Sequence, residues 1–111
     1  MRTIKRGDVY WCVFESDRKG NLQRGRRPVV VVSNNKANYF GGQITVVPLT
    51  TKLNKKDKLP THTFIEGAKP SLTLCEQVTC VSKTQIGDFI RECTAQELVD
   101  INKALLIQLS L

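Results

Sequence analysis

Residues that bind metals and cofactors are scarce in this chain. Its 111 residues include one histidine and four cysteines, and no two of the cysteines form a C-x-x-C pair. These numbers and spacings argue against a structural zinc site. The P-loop, G-x-S-x-G, H-E-x-x-H and Rossmann glycine motifs are absent as well. We therefore expect neither a metal nor a cofactor.

Long apolar runs are also missing from the sequence. No segment approaches the length needed to span a bilayer, and residues 1–6 are not followed by the apolar stretch of a secretory signal. These absences predict a cytoplasmic protein that does not bind membranes. Because disulfides are disfavoured in the cytoplasm, we interpret the cysteines as small buried apolar residues: Cys12, Cys75, Cys80 and Cys93.

The length and the absence of repeats indicate a single domain, residues 1–111. Charge is unevenly distributed along this domain. Residues 1–58 hold 13 Lys/Arg against 4 Asp/Glu, a net charge of +9, whereas residues 59–111 hold 4 against 6, a net charge of −2. A basic half of this kind favours a polyanionic partner, with nucleic acid as the first candidate. The alternative is a solvated basic surface that only aids solubility.

Alternating bulky residues and turn signals predict a mostly β domain closed by one helix. The predicted strands are residues 8–14, 29–32, 43–50, 61–65, 72–81 and 89–92. Residues 34–42 are predicted to form a turn, and exposed basic loops are predicted over residues 15–27 and 52–58. A capping-box pattern begins at Thr94, and it is followed at helical spacing by Leu98, Ile101, Leu105 and Leu109.

Arg27 is the most informative residue, because its neighbours fix its geometry. Pro28 disfavours helical backbone at Arg27, and the four valines that follow predict a strand covered on both faces. A guanidinium held at the mouth of such a strand matches phosphate oxygens with its planar fork. Thr50, at the exit of the next predicted strand, supplies a hydroxyl for the same phosphate, unless it is a strand-end residue without a role. Metal-free RNA cleavage needs such groups to stabilise charge on the phosphorane.

Glu76 and His62 raise separate questions. On an ideal strand Glu76 shares a face with Leu74 and Val78, so it must meet a basic partner or be turned outwards by a bulge. His62 has the chemistry of a general acid or base near neutral pH, but a single histidine on a strand is more often packed or solvent-facing. The sequence assigns no role to either residue.

Five segments together resemble the MazF/PemK/Kid family of toxin endoribonucleases from toxin–antitoxin pairs. They are Lys5–Trp11, Arg27–Val32 with Asn34, Pro48–Thr50, Lys58–His62 and Leu74–Val78. The resemblance extends from Ile4 to Leu111. It implies that Arg27 and Thr50 are the catalytic pair of a metal-independent endoribonuclease that cuts single-stranded RNA at a short sequence motif. Attack by the 2′-hydroxyl would leave a 2′,3′-cyclic phosphate and a 5′-hydroxyl.

The same resemblance implies an RNA-binding set around this pair. Asn34 and Gln77 match family positions near the RNA groove, where amides read base edges, although both also suit ordinary strand-end hydrogen bonding. The basic loops supply the residues expected to hold the RNA backbone, namely Arg24, Arg26, Lys52 and Lys56. The chain departs from the family at Thr79, where many relatives carry a basic residue. We therefore do not expect this chain to share the RNA sequence that its relatives cleave.

For the fold, the resemblance implies a small β-barrel, SH3-like and similar to CcdB, with a C-terminal α-helix. It also implies a homodimer inhibited by an acidic antitoxin similar to MazE, which agrees with the basic first half of the chain. Two other functions stay open. One is a nucleic-acid-binding module without catalysis, and the other is a toxin directed at DNA gyrase, as in the related CcdB group.

Overall fold

The computed structural model describes residues 2–14, 25–52, 60–66 and 69–111. Within these ranges the segments rich in β-branched and aromatic residues form strands, and the other elements are two helices and two 3₁₀ turns. The strands are β1 (Asp8–Phe14), β2 (Gly25–Val31), β3 (Gln43–Thr50), β4 (His62–Glu66), β5 (Pro70–Leu74), β6 (Thr79–Ser82) and β7 (Ile86–Glu92). The helices are α1 (Asn35–Phe40) and α2 (Ala95–Leu109), and the 3₁₀ turns are Cys75–Gln77 and Lys83–Gln85.

The strands pair in the order β4, β5, β3, β2, β1, β7, and β6 pairs with β3 as well. All of these pairings are antiparallel. β3 changes its partner along its length, because residues 43–46 pair with β6 whereas Leu49 and Thr50 pair with β5. Such a change of partner curls a sheet towards a barrel. The predicted mainly β fold with a C-terminal helix is confirmed.

The valine strand lies at the centre of the protein. Val29 and Val31 belong to one apolar cluster, while Val30 belongs to a second cluster that includes Ile101 and Ala104 of α2. All three valines are fully buried. Period-2 alternation sends neighbouring side chains to opposite faces, so each face of β2 has its own core. The prediction of a strand covered on both faces is therefore confirmed.

α2 begins at the predicted capping box. The Thr94 hydroxyl accepts a hydrogen bond from the backbone N–H of Glu97 at 3.1 Å, and the Glu97 carboxylate accepts one from the N–H of Thr94 at 2.8 Å. Two otherwise unpaired backbone donors are satisfied in this way. In the ranges the structure describes, neither helix has both the length and the apolar content that crossing a bilayer requires.

The predicted turn over residues 34–42 is wrong, because this segment contains α1. The Asn34 side chain caps the helix by accepting a hydrogen bond from the N–H of Ala37 at 2.8 Å. Asn38 is buried, and its amide donates to the carbonyl of Ser33 at 2.9 Å. Asparagine favours turns and helix caps through the same local hydrogen bonds, so composition alone did not distinguish the two structures.

The cysteine prediction is only partly right. Cys12 and Cys75 are buried and Cys93 is half-buried, whereas Cys80 is exposed on β6. Burial raises the pKa of Cys12, Cys75 and Cys93 to about 11. These three thiols stay protonated near neutral pH and act as apolar residues.

Candidate active site

Arg27 lies on β2, at the end away from α1. The exposed loop predicted over residues 15–27 is wrong for residues 25–27, which belong to this strand, and residues 15–24 lie outside the described residues. The Arg27 Cα pairs with Cys12 of β1, and the next residue, Pro28, pairs with Trp11. The Arg27 side chain is half-exposed, and no hydrogen bond or ion pair joins its guanidinium to another residue that the structure describes. Its donors therefore remain available for an anion.

Thr50 is the last residue of β3 and is 6% exposed. Its backbone pairs with Leu72 of β5. The Thr50 hydroxyl oxygen accepts a hydrogen bond from the backbone N–H of Lys52 at 3.3 Å. Since a hydroxyl both donates and accepts, this contact leaves its hydrogen for another acceptor.

The register of β2 and β3 brings Arg27 and Thr50 together. The ladder runs from Val31 opposite Val46 to Val29 opposite Pro48. The ladder ends there. Arg27 and Thr50 lie two residues beyond its last pair, and the same register, continued over those residues, would set them opposite each other and on one face. In an ideal antiparallel ladder opposed Cβ atoms lie about 5 Å apart, which allows both side chains to contact one phosphate.

Arg26 points to the other face of β2, where its guanidinium contacts two other side chains. Its guanidinium lies 4.4 Å from the centre of the Trp11 ring and 3.7 Å from the Asp88 carboxylate. Both members of this ion pair are exposed, so it contributes little stability. A recess of about 380 Å³ adjoins this point, and it is lined by Trp11, Arg26, Arg27, Pro28, Leu49, Thr51, Lys69 and Ser71. Lys69 was predicted only as part of a turn, and no motif marks it or Ser71.

The other predicted RNA-binding residues are more dispersed. Lys52 is exposed two residues after Thr50, and Gln77 is exposed at the end of the first 3₁₀ turn. Asn34 lies beyond the opposite end of β2 from Arg27, and its side-chain oxygen caps α1. Arg24 and Lys56 lie outside the described residues.

The predicted strand over residues 72–81 is wrong at its centre. The 3₁₀ turn at residues 75–77 divides it into β5 and β6. Glu76 does find the basic partner that its position requires, because His62 Nε2 lies 2.8 Å from its carboxylate. The Thr61 hydroxyl donates to the other carboxylate oxygen at 3.2 Å. The sequence did not identify either contact, since the residues are 14 and 15 positions apart.

The environment of Glu76 keeps it ionised. Burial alone would raise the pKa of its carboxyl group, but the hydrogen bonds from His62, from the backbone and from Thr61 outweigh it, and the pKa is lowered. His62 is buried, so it is the packed histidine that sequence reasoning favoured. It pairs with Leu74 on β5, while Thr50 pairs with Leu72 of the same strand.

Comparisons with known proteins find relatives that match nearly the whole chain. The model of the family described as PemK-like, MazF-like toxin of type II toxin-antitoxin system matches residues 5–109. A relative from Staphylococcus saprophyticus, named Endoribonuclease MazF, is 32% identical over 113 residues, which covers 97% of this chain and 92% of the relative.

Two solved structures are similar over almost the whole chain. An endoribonuclease in complex with its cognate antitoxin, from a mycobacterial species, has a TM-score of 0.81 and 26% identity, covering 97% of this chain and 96% of the other. MazF from Deinococcus radiodurans has a TM-score of 0.84 at 19% identity and covers 100% of both chains. At that identity the second likeness supports the fold alone.

Proposed function

Since the chain belongs to the PemK-like, MazF-like toxin family, we propose that it is an endoribonuclease that cuts single-stranded RNA at a short sequence motif and so inhibits translation and growth. The observation that carries this proposal is the register of β2 and β3, which, continued two residues beyond Val29 and Pro48, sets Arg27 opposite Thr50 on one face. A fork of guanidinium donors and a hydroxyl, side by side, suit one phosphodiester group. The relative named Endoribonuclease MazF supports the same reaction.

The proposed reaction is an attack by the RNA 2′-hydroxyl on the adjacent phosphorus. It breaks the bond to the 5′-oxygen of the next nucleotide and leaves a 2′,3′-cyclic phosphate and a 5′-hydroxyl. Arg27 stabilises the negative charge that grows on the phosphorane oxygens, and Thr50 donates a hydrogen bond to one of them. A guanidinium stays protonated at neutral pH, so Arg27 acts through charge and hydrogen bonds and does not carry protons. No step of this scheme uses a metal ion.

RNA is held around this pair by residues of two chemical kinds. The side chains of Arg24, Arg26, Lys52 and Lys56 contact the phosphate backbone, and affinity is therefore expected to fall as salt rises. The Gln77 amide both donates and accepts, so it suits a base edge, whereas Asn34 lies beyond the opposite end of β2 and, with its oxygen capping α1, offers a base only its NH₂ donors. Gln77 is exposed at the end of its turn and accessible to RNA.

The proposal includes two protein partners, a second copy of the chain and an acidic antitoxin. A similar structure holds an endoribonuclease with its cognate antitoxin. The charge of +9 over residues 1–58 favours fast association with an acidic, extended segment that competes with RNA for the same surface. The whole chain would act as one cytoplasmic domain. An antitoxin complex that leaves Arg27 exposed and RNA cleavage unaffected would contradict this part of the proposal.

The test uses purified protein, single-stranded RNA and an excess of chelator. Cleavage at defined sites by the native protein, and none by Arg27→Ala, is the expected result. Binding without cleavage would indicate a nucleic-acid-binding module instead. Inhibition of DNA gyrase without any effect on RNA would indicate a toxin of the CcdB kind.

A further inference from the structure

The turn that carries Gln77 is tied to the beginning of β4 by three hydrogen bonds. The backbone N–H of Cys75 donates to the carbonyl of Thr61 at 3.2 Å. Thr61 also donates from its hydroxyl to one carboxylate oxygen of Glu76, and the other oxygen lies 2.8 Å from His62 Nε2. Two adjacent residues of the chain thus hold a turn that lies more than ten positions away. We call these contacts the Glu76 clamp.

His62 is buried and Glu76 is half-buried, so water competes little for the contact between them. The His62 side chain is 3% exposed and the Glu76 side chain 26% exposed. A carboxylate in such a position is costly unless it is paired, so losing one partner would move the turn to reach another partner or water. The geometry of the turn therefore depends on Glu76.

The turn sets the position of Gln77 relative to Thr50. β5 is fixed on β3 by the pairing of Leu72 with Thr50, and β6 is fixed on the same strand by the pairing of Thr79 with Val46. Gln77 lies between these two anchors and two residues before Thr79. Between the two strands, residues 75–78 are not part of a ladder. The conformation of this segment is set by the backbone hydrogen bond from Val78 to Cys75, by the burial of Cys75 in the core and by the contacts of the clamp.

We propose that Glu76 is a positioning residue for base recognition: held by His62 and Thr61, it fixes the turn so that Gln77 meets one unpaired base of the bound RNA. This inference rests on the proposed function. The occupant is an RNA base whose edge offers both a donor and an acceptor, since the amide of Gln77 matches such an edge. Glu76 acts through the turn and does not touch the RNA.

His62 is too far from Thr50 to exchange a proton with it directly. His62 belongs to β4, and Thr50 belongs to β3, with β5 between them. Neighbouring strands lie about 4.8 Å apart, so the two residues are separated by about 10 Å or more. A proton cannot pass directly over that distance. Changes to the clamp are therefore expected to alter which RNA is cut more than how fast the preferred RNA is cut.

The experiment starts from a cut-site map of the native protein on mixed RNA, which defines its motif. Values of kcat and KM are then measured on an oligonucleotide with this motif and on its single-base variants. We expect Gln77→Ala to lower discrimination at one position by on the order of tenfold, as for a lost base hydrogen bond. Glu76→Ala should lower it at the same position by a similar factor, with kcat on the preferred RNA changed less than about threefold.

Three further variants separate positioning from a general loss of structure. The double variant Glu76→Ala/Gln77→Ala should discriminate no worse than Gln77→Ala alone. Thr61→Val removes one bond of the clamp at nearly constant volume and should give a smaller loss at the same position, even if Glu76→Ala fails to fold. The matched control is Glu92→Ala, which removes an exposed carboxylate paired with Arg2 at 3.0 Å and should leave the motif unchanged.

The inference is overturned if Glu76→Ala weakens cleavage of every RNA equally, or relaxes a position that Gln77→Ala leaves intact. A second readout, the ¹⁵N spectrum without RNA, is independent of activity. The Gln77 amide signals should shift in Thr61→Val, whose substitution lies sixteen positions away along the chain, while those of Arg27 stay in place. If native protein leaves all RNA intact while these shifts occur, the proposed function is wrong, but the structural role of the clamp in positioning Gln77 is supported. Unshifted Gln77 signals would show that the clamp does not set the position of Gln77.

Discussion

β2 and the segment from β5 to β6 flank the same strand, β3, but they pair with it in different ways. β2 forms one continuous ladder, from Val31 opposite Val46 to Val29 opposite Pro48. The segment from β5 to β6 pairs with β3 twice and is broken between the two pairings by a 3₁₀ turn. A continuous ladder fixes which residues face each other. A broken one leaves the intervening residues to side-chain contacts.

The two regions suit two parts of the proposed function. Cleavage needs groups held within a fraction of an ångström of the phosphorane. Arg27 and Thr50 lie just beyond this ladder, and each is fixed by a second pairing, Arg27 with Cys12 of β1 and Thr50 with Leu72 of β5. The proposed base recognition is placed on a turn held by a few contacts, which can change without disturbing the ladder. Substitutions in the ladder should therefore affect the rate, and substitutions in the clamp should affect the choice of sequence.

The largest effect is expected from Arg27→Ala. Removing a charged donor from the phosphorane should lower single-turnover cleavage by about 10²–10³-fold, while the fold stays intact because the side chain is half-exposed. The matched control is Arg26→Ala, on the other face of the same strand, which should raise KM and leave kcat within about threefold. A fall of less than tenfold in Arg27→Ala would show that the ladder does not position the catalytic group.

Thr50→Val tests the other side of the ladder. It removes the hydroxyl at nearly constant volume, and losing one hydrogen bond to a charged transition state should lower kcat by about 10–100-fold. Thr45→Val is the matched control, because Thr45 lies on the same strand and points to the opposite face. Equal activities of the two variants would show that the Thr50 hydroxyl does not contribute to cleavage.

The ladder was largely predictable from the sequence, and the clamp was not. Pro28 and the valines indicated both the strand and its covered faces, and the capping box located α2, because these signals act between neighbouring residues. The juxtaposition of Arg27 and Thr50 rested on the family resemblance, and the register supplies the geometry that agrees with it. Their catalytic role stays a prediction.

The turn at residues 75–77 and the helix α1 were missed for physical reasons. Pleat alternation showed that Glu76 needed a partner, but it did not show that His62 supplies it, since that contact exists only in three dimensions. The asparagines of α1 form local hydrogen bonds in turns and at helix caps alike. Lys69 and Ser71 adjoin Arg27 only because β5 lies beside β3.

The pH dependence of stability should distinguish the clamp from the ladder. The pKa of Glu76 is lowered in the folded protein from its ordinary value of 4.5, so the unfolded chain binds a proton more readily. Its contribution to stability is present above that value and is lost as the pH falls through the folded pKa. Urea unfolding of native protein should therefore show stability falling below about pH 5, and Glu76→Gln should flatten this dependence. Identical pH profiles would show that the clamp does not hold an ionised carboxylate.

The smallest effect is expected from Pro28→Ala, which tests how strictly the ladder holds Arg27. Proline restricts the unfolded chain and the backbone of the residue before it, so its loss should lower the free energy of unfolding by about 0.5–1 kcal/mol. It should also lower kcat several-fold without relaxing the cleavage motif, because Arg27 moves while Gln77 does not. Urea midpoints and the kinetics of the single-base variants measure the two effects separately. A relaxed motif with unchanged kcat would mean that β2, and not the clamp, governs recognition.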